Sequence, residues 1–112
     1  DSARVELFDA ITHAWSEQRC VKIWYRSSRG ENKLRTYEVS TYFIEPRLDG
    51  AVYVVGFDSV SQRVRAFKLN RIQQAEILAS TYQMPFHFDT KRYLLYLRES
   101  AKIQHGQDGV QR

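Results

Sequence analysis

The sequence predicts a mainly β domain: a small antiparallel barrel of about five strands, with one helix before it and one after it. Three observations predict this. Aromatic residues are abundant, with seven Tyr and six Phe, and such side chains pack well on pleated surfaces. Short β-prone runs alternate with polar turns, the pattern of a small all-β fold. Up to Tyr82 there is no strand–helix–strand rhythm, which argues against a parallel α/β sheet.

The elements follow in order. Residues 4–18 read as a helix, because Phe8, Ile11 and Trp15 recur at helical spacing with Leu7, Ala10 and Ala14 beside them. Asp1 or Ser2 is placed to cap it. Val21 to Tyr25 begins in apolar–polar alternation and reads as a strand, and Arg26 to Asn32 is a polar turn containing Gly30. Leu34 to Ile44 is a long β-prone run that Pro46 ends, and Leu48-Asp49-Gly50 turns the chain. Ala51 to Phe57 is a strongly apolar strand. Val64 to Leu69 is the next, and Ala75 to Leu78 the last. Five strands behind one helix suggest an SH3-like or Sm-like barrel, with the helix stripe buried against the sheet or closing one end. After Pro85, residues 90–103 read as a second helix, with Tyr93, Leu94 and Leu97 on one face and Asp89 or Thr90 as cap. The expected division is a barrel domain over 1–82, then a linker and helix over 83–112 leading toward a C-terminal extension.

At 112 residues the chain is one domain's worth. The net charge of +4 and a pI near 9.4 favour anionic partners, nucleic acid among them, or serve solubility alone. A single cysteine, Cys20, excludes an intramolecular disulfide and suits a reducing compartment. No run approaches the length of a membrane helix, and no signal-peptide pattern opens the chain. The expectation is a cytoplasmic protein without a membrane partner. The start at Asp1 rather than Met suggests a piece of a longer protein.

Catalytic patterns are missing. There is no Walker loop, dinucleotide glycine fingerprint or HExxH. His13, His87 and His105 are scattered, and one cysteine leaves the usual zinc sets incomplete. Cys20 before Val21 fits a small buried residue better than a nucleophile. Glu38 and Glu45 resemble a carboxylate pair, but their odd separation puts them on opposite faces of one strand unless a bulge intervenes. The expectation is a binding module that is not an enzyme and holds no metal or cofactor.

Several segments then fall into an ordered set. Val52-Tyr53-Val54-Val55-Gly56-Phe57-Asp58 is followed by Val64-Arg65-Ala66-Phe67-Lys68-Leu69-Asn70-Arg71-Ile72. Before them stands Arg35 to Pro46, and before that Leu7 to Tyr25. The set resembles the WYL domain. The first segment is similar to the name-giving strand, with Val52 and Val54 where the family has Trp and Leu. The second carries the family's R-x-F-x-L-x-R-I strand at every position. Met84 to Leu94 resembles the bridge toward a C-terminal extension. The resemblance spans about residues 5–97, and its strength lies in order and spacing more than in any one motif.

The resemblance implies a sensing domain of a bacterial transcriptional regulator, with a nucleotide or single-stranded DNA or RNA as ligand. It implies double-stranded DNA as a partner through a helix-turn-helix domain not present in this sequence, and a possible homodimer of the longer protein. The residues supply chemistry for such a ligand. Arg65 shares a strand face with Phe67 and Leu69, and an arginine there must reach the rim, pair with an acid or hold an anion. Arg71 lies further along and Arg35 on a neighbouring strand, and a guanidinium fork suits phosphate. Tyr42 and Tyr53 offer stacking, and Ser40 and Thr41 offer hydroxyl donors.

Each candidate has a plainer reading. Arg65 can pair with Glu38 or Glu45, Arg71 can lie along the surface, Tyr53 can be core, and Ser40 and Thr41 can be ordinary strand residues. Two other functions fit the same barrel: a stand-alone Sm-like RNA-binding module, and a protein-interaction or dimerisation barrel.

Overall fold

The computed structural model describes residues 2–27 and 33–85. The expected second helix over 90–103, the segment from Phe86 onward and most of the turn before Lys33 lie outside the described residues.

Helix α1 (Ser2–Ser16) is followed by β1 (Arg19–Arg26), β2 (Leu34–Pro46), β3 (Val52–Asp58), β4 (Arg63–Lys68), a 3-10 turn (Leu69–Arg71) and β5 (Ile72–Thr81). All five predicted strands are present, each within a few residues of its expected bounds. The helix starts and ends two residues earlier than expected. Gln18, at φ 52°, takes the left-handed conformation that turns the chain into β1.

The buried helical residues are Leu7, Ile11 and Ala14. Phe8, expected in the stripe, is 38% exposed. Trp15 stays half-buried because its indole N–H donates to the carbonyl of Tyr42, 3.1 Å away. Cys20 is half-buried inside β1 rather than at the junction before it. With Val21, Ile23, Val39, Val54, Phe67 and Ile72, the three helical residues make one core between α1 and a single sheet.

The sheet runs β4-β3-β2-β1-β5, antiparallel at every pairing. This corrects the expectation of a closed barrel, because β4 and β5 occupy the two ends and do not pair among the described residues. The reason lies in how backbone groups at the seam are satisfied. The Lys68 N–H donates to the Tyr25 hydroxyl at 3.1 Å. The carbonyls of Leu69 and Ile72 accept from the Arg4 guanidinium, each at 2.7 Å. Side chains have taken the places of a ladder. The sheet is still strongly curled: Tyr25 on β1 meets Phe67 on β4 with ring centres 5.1 Å apart, although two strands lie between them.

A second irregularity decides which residues face the core. The β2–β3 register slips between Thr41 and Phe43, leaving Tyr42 as the extra residue of a bulge. Val39 and Thr41 face the core before it and Ile44 after it. Glu38 and Glu45 therefore share the outer face. Asp58 is wholly buried at the β3–β4 turn and accepts from the N–H groups of Glu38, Val60 and Ser61 at 3.2, 3.2 and 2.8 Å.

Candidate ligand site: an arginine and tyrosine face

The side chains of Tyr25, Tyr37 and Phe67 meet where the curled sheet brings β1, β2 and β4 together. Phe67 lies 5.0 Å from Tyr37, and Tyr25 lies edge-on to both. Two residues before Phe67, Arg65 sets its guanidinium over the Tyr37 ring, 5.1 Å from the centroid. Arg35, exposed, lies two residues before Tyr37 and stands opposite Tyr25 in register, which puts it on the same face. Arg71, half-buried at the end of the 3-10 turn, donates to the Arg26 carbonyl at 3.3 Å. It also lines a polar cleft of about 240 Å³ with Arg26, Asn70 and Gln73.

The electrostatics place Arg71 on the Tyr25 side of this cluster. Burial raises the Tyr25 hydroxyl above its ordinary pKa, while the Lys68 N–H and the positive charge of Arg71 pull it back. Among the described residues neither Arg65 nor Arg35 makes an ion pair. Arg65 pairs with neither Glu38 nor Glu45, because both carboxylates lie on the outer face of the sheet, where Glu45 accepts from the Nε and Nη2 of Arg47 at 3.1 and 3.0 Å. Such a face offers positive charge beside aromatic surface, and it is suited to an anion that carries a ring.

The seven residues singled out from the sequence do not form one site. Arg65 and Arg35 share one face of the sheet, and Arg71 lies near Tyr25. Tyr53 lies on the opposite face of the sheet, opposite Glu45 in register, its ring covered by Arg47 at 3.7 Å. Ser40 also faces that side, its hydroxyl 3.5 Å from the Cys20 sulfur. Tyr42 is buried at the bulge, and burial raises its pKa. Thr41 is wholly buried, and its hydroxyl has no hydrogen-bond partner among the described residues. Tyr37 and Tyr25 were not singled out. Alternation from Arg35 and Ile23 marks both as face residues, but only the folded sheet brings Tyr37 under Arg65 and Tyr25 against Tyr37.

Among the described residues no three His, Cys, Asp or Glu side chains gather as a metal site, and no helix is long and apolar enough to cross a membrane.

A helix laid on a curled, open antiparallel sheet with a basic and aromatic face defines a small mainly β domain built around one core. The chain belongs to the WYL domain family, whose pattern matches residues 6–77. No curated protein sequence matches it significantly. Among solved structures it is similar to proteasome accessory factor B/C of Arthrobacter aurescens, at a TM-score of 0.70 and 22% identity over 80% of this chain. That likeness is one of fold, and this chain spans 14% of that protein's length.

Proposed function

We propose that this domain is the sensing module of a transcriptional regulator and takes a nucleotide or a single-stranded nucleic acid on the face formed by Arg35, Arg65 and Tyr37. The observation that carries the reading is Arg65. It is half-buried, laid over an aromatic ring and not neutralised by a carboxylate among the described residues. A charge kept in such a place is costly unless something anionic meets it. Membership of the WYL family and the basic net charge support the same reading.

The ligand binds here and is not transformed. Binding biases a two-state arrangement of a longer cytoplasmic regulator, a homodimer in its complete form, and so changes how its DNA-binding domain holds double-stranded DNA. Such coupling requires a ligand that prefers one state, typically by ~1–3 kcal/mol.

The test is a titration of the domain with labelled single-stranded DNA and RNA at low and physiological salt, followed by fluorescence anisotropy. Saturable binding that weakens by ~1–3 kcal/mol in Arg65→Ala supports the reading. Binding that is absent, or wholly salt-driven and unchanged in Arg65→Ala and Arg71→Ala, overturns it.

A further inference from the structure

The two ends of the sheet differ. The β4 end is six residues long and carries Arg63, Arg65 and Lys68. The β5 end is ten residues long and carries one charged side chain, Glu76, with neither lysine nor proline in it. Among the described residues no strand pairs with the outer edge of β5. A long edge without basic or proline guards exposes backbone donors and acceptors that another extended segment can use.

A groove runs beside this edge, under the flank of α1. Its larger part is shallow and open to solvent, lined by Glu6, Asp9, Ala10, Thr12, His13 and Ser16 of α1 and by Ile77 of β5. A second cleft continues it along Ala3, Glu6 and Ala10 toward Gln74 and Ala75. The floor is apolar, from Ala75 and Ile77, and the wall is acidic, from Glu6 and Asp9. An edge strand beside a helix is the arrangement in which an extended peptide adds as one more strand, its alternate side chains entering the groove. In a chain of net charge +4, this acidic wall stands apart from the basic face around Arg65.

From this juxtaposition we infer that the α1–β5 groove is a docking site for an extended basic segment of a partner protein, which adds to β5 with its cationic side chains against Glu6 and Asp9. The site lies apart from the arginine face, and the inference does not depend on the function proposed there.

The experiment titrates the whole chain with a labelled peptide alternating lysine and valine, long enough to span β5. The same sequence with glutamate for lysine serves as control. Saturable binding is expected for the basic peptide alone, weakening on the order of tenfold in Glu6→Lys/Asp9→Lys and falling with salt. Amide exchange of the backbone from Gln73 to Thr81 should slow on binding, and Arg65→Ala should leave the affinity unchanged. Both helix positions are exposed, so charge reversal should leave the fold intact, and an unaltered circular dichroism spectrum checks this. No binding overturns the inference. So do equal binding of both peptides, unchanged affinity in the reversed variant, and amide protection outside β5. Concentration-dependent self-association that blocks the peptide also overturns it, since a second copy would then be the occupant.

Discussion

The guanidinium of Arg65 lies 5.1 Å from the centre of the Tyr37 ring, and that ring in turn packs 5.0 Å from the wholly buried Phe67. The arginine is thereby oriented by the core. Tyr37→Phe keeps the aromatic face and should leave nucleic-acid affinity within about twofold. Tyr37→Leu frees the guanidinium and should weaken binding by ~1 kcal/mol, within the range of an exposed cation–π contact. Anisotropy titrations of the two variants beside Arg65→Ala check this. Equal affinities in Tyr37→Leu and the parent would mean that the ring does not orient Arg65.

Asp58 ties the β3–β4 turn to β2. Its buried carboxylate accepts three backbone N–H groups, from Glu38, Val60 and Ser61. Asp58→Ala should cost ~1–3 kcal/mol, because three backbone hydrogen bonds to one wholly buried side chain are lost together. Asp58→Asn, which keeps one acceptor oxygen, should cost less. Urea unfolding of both variants reads the difference as a shift in midpoint at constant slope.

Gly56 stands between Thr41 on β2 and Arg65 on β4 in register. A Cβ there would lie 2.2 Å from the Ser40 carbonyl oxygen, a backbone atom that cannot swing aside. Gly56→Ala should therefore force β2 and β3 apart and cost ~2 kcal/mol or more, as overpacking does. The check is a lowered Tm, accompanied by loss of ligand affinity if Arg65 shifts with its strand.

Arg4 holds the seam between β4 and β5 by donating to the carbonyls of Leu69 and Ile72. Arg4→Ala should cost about 2 kcal/mol. Arg4→Lys should recover only part, since an ammonium lacks the planar fork that serves both carbonyls. Thermal unfolding of the two variants orders them. An unchanged Arg4→Ala would show that water replaces the guanidinium without loss.

The strands were legible because alternation and turn residues are local signals, and all five lie near their expected places. The arrangement of their faces was not. Tyr42 and Tyr53 looked like stacking residues in the linear sequence, yet a one-residue bulge at Tyr42 reverses the alternation of β2 beyond it. Glu45, opposite Tyr53, then falls on the same outer face as Glu38. The ring that does meet Arg65 belongs to Tyr37, with Tyr25 edge-on to it, and the nearness depends on the curl of the sheet across β2 and β3. Closure was beyond reach for a related reason: whether β4 pairs with β5 depends on what satisfies a few backbone groups, and Arg4, more than sixty residues away in sequence, supplies the donors.

Tyr82 gives the fold a pH signature. Burial raises its pKa to about 12, with Cys20 and Tyr42 adding to the rise, and its hydroxyl donates to the Thr41 carbonyl beside the β2 bulge. The unfolded chain ionises this tyrosine near its ordinary value of 10.0, so the folded state binds the proton more tightly. The stabilisation is complete below pH ~10 and is lost as pH rises through about 12. Tyr25 and Tyr42, also raised by burial, add to the same alkaline loss. Tyr82→Phe should lower stability at neutral pH by ~0.5–1.5 kcal/mol through the missing hydrogen bond. It should also flatten the alkaline fall without abolishing it, because the other two tyrosines remain. Urea midpoints measured at intervals from pH 7 to beyond the tyrosine range would show both effects. An alkaline slope identical in parent and variant would mean that Tyr82 ionises alike in the folded and unfolded chain.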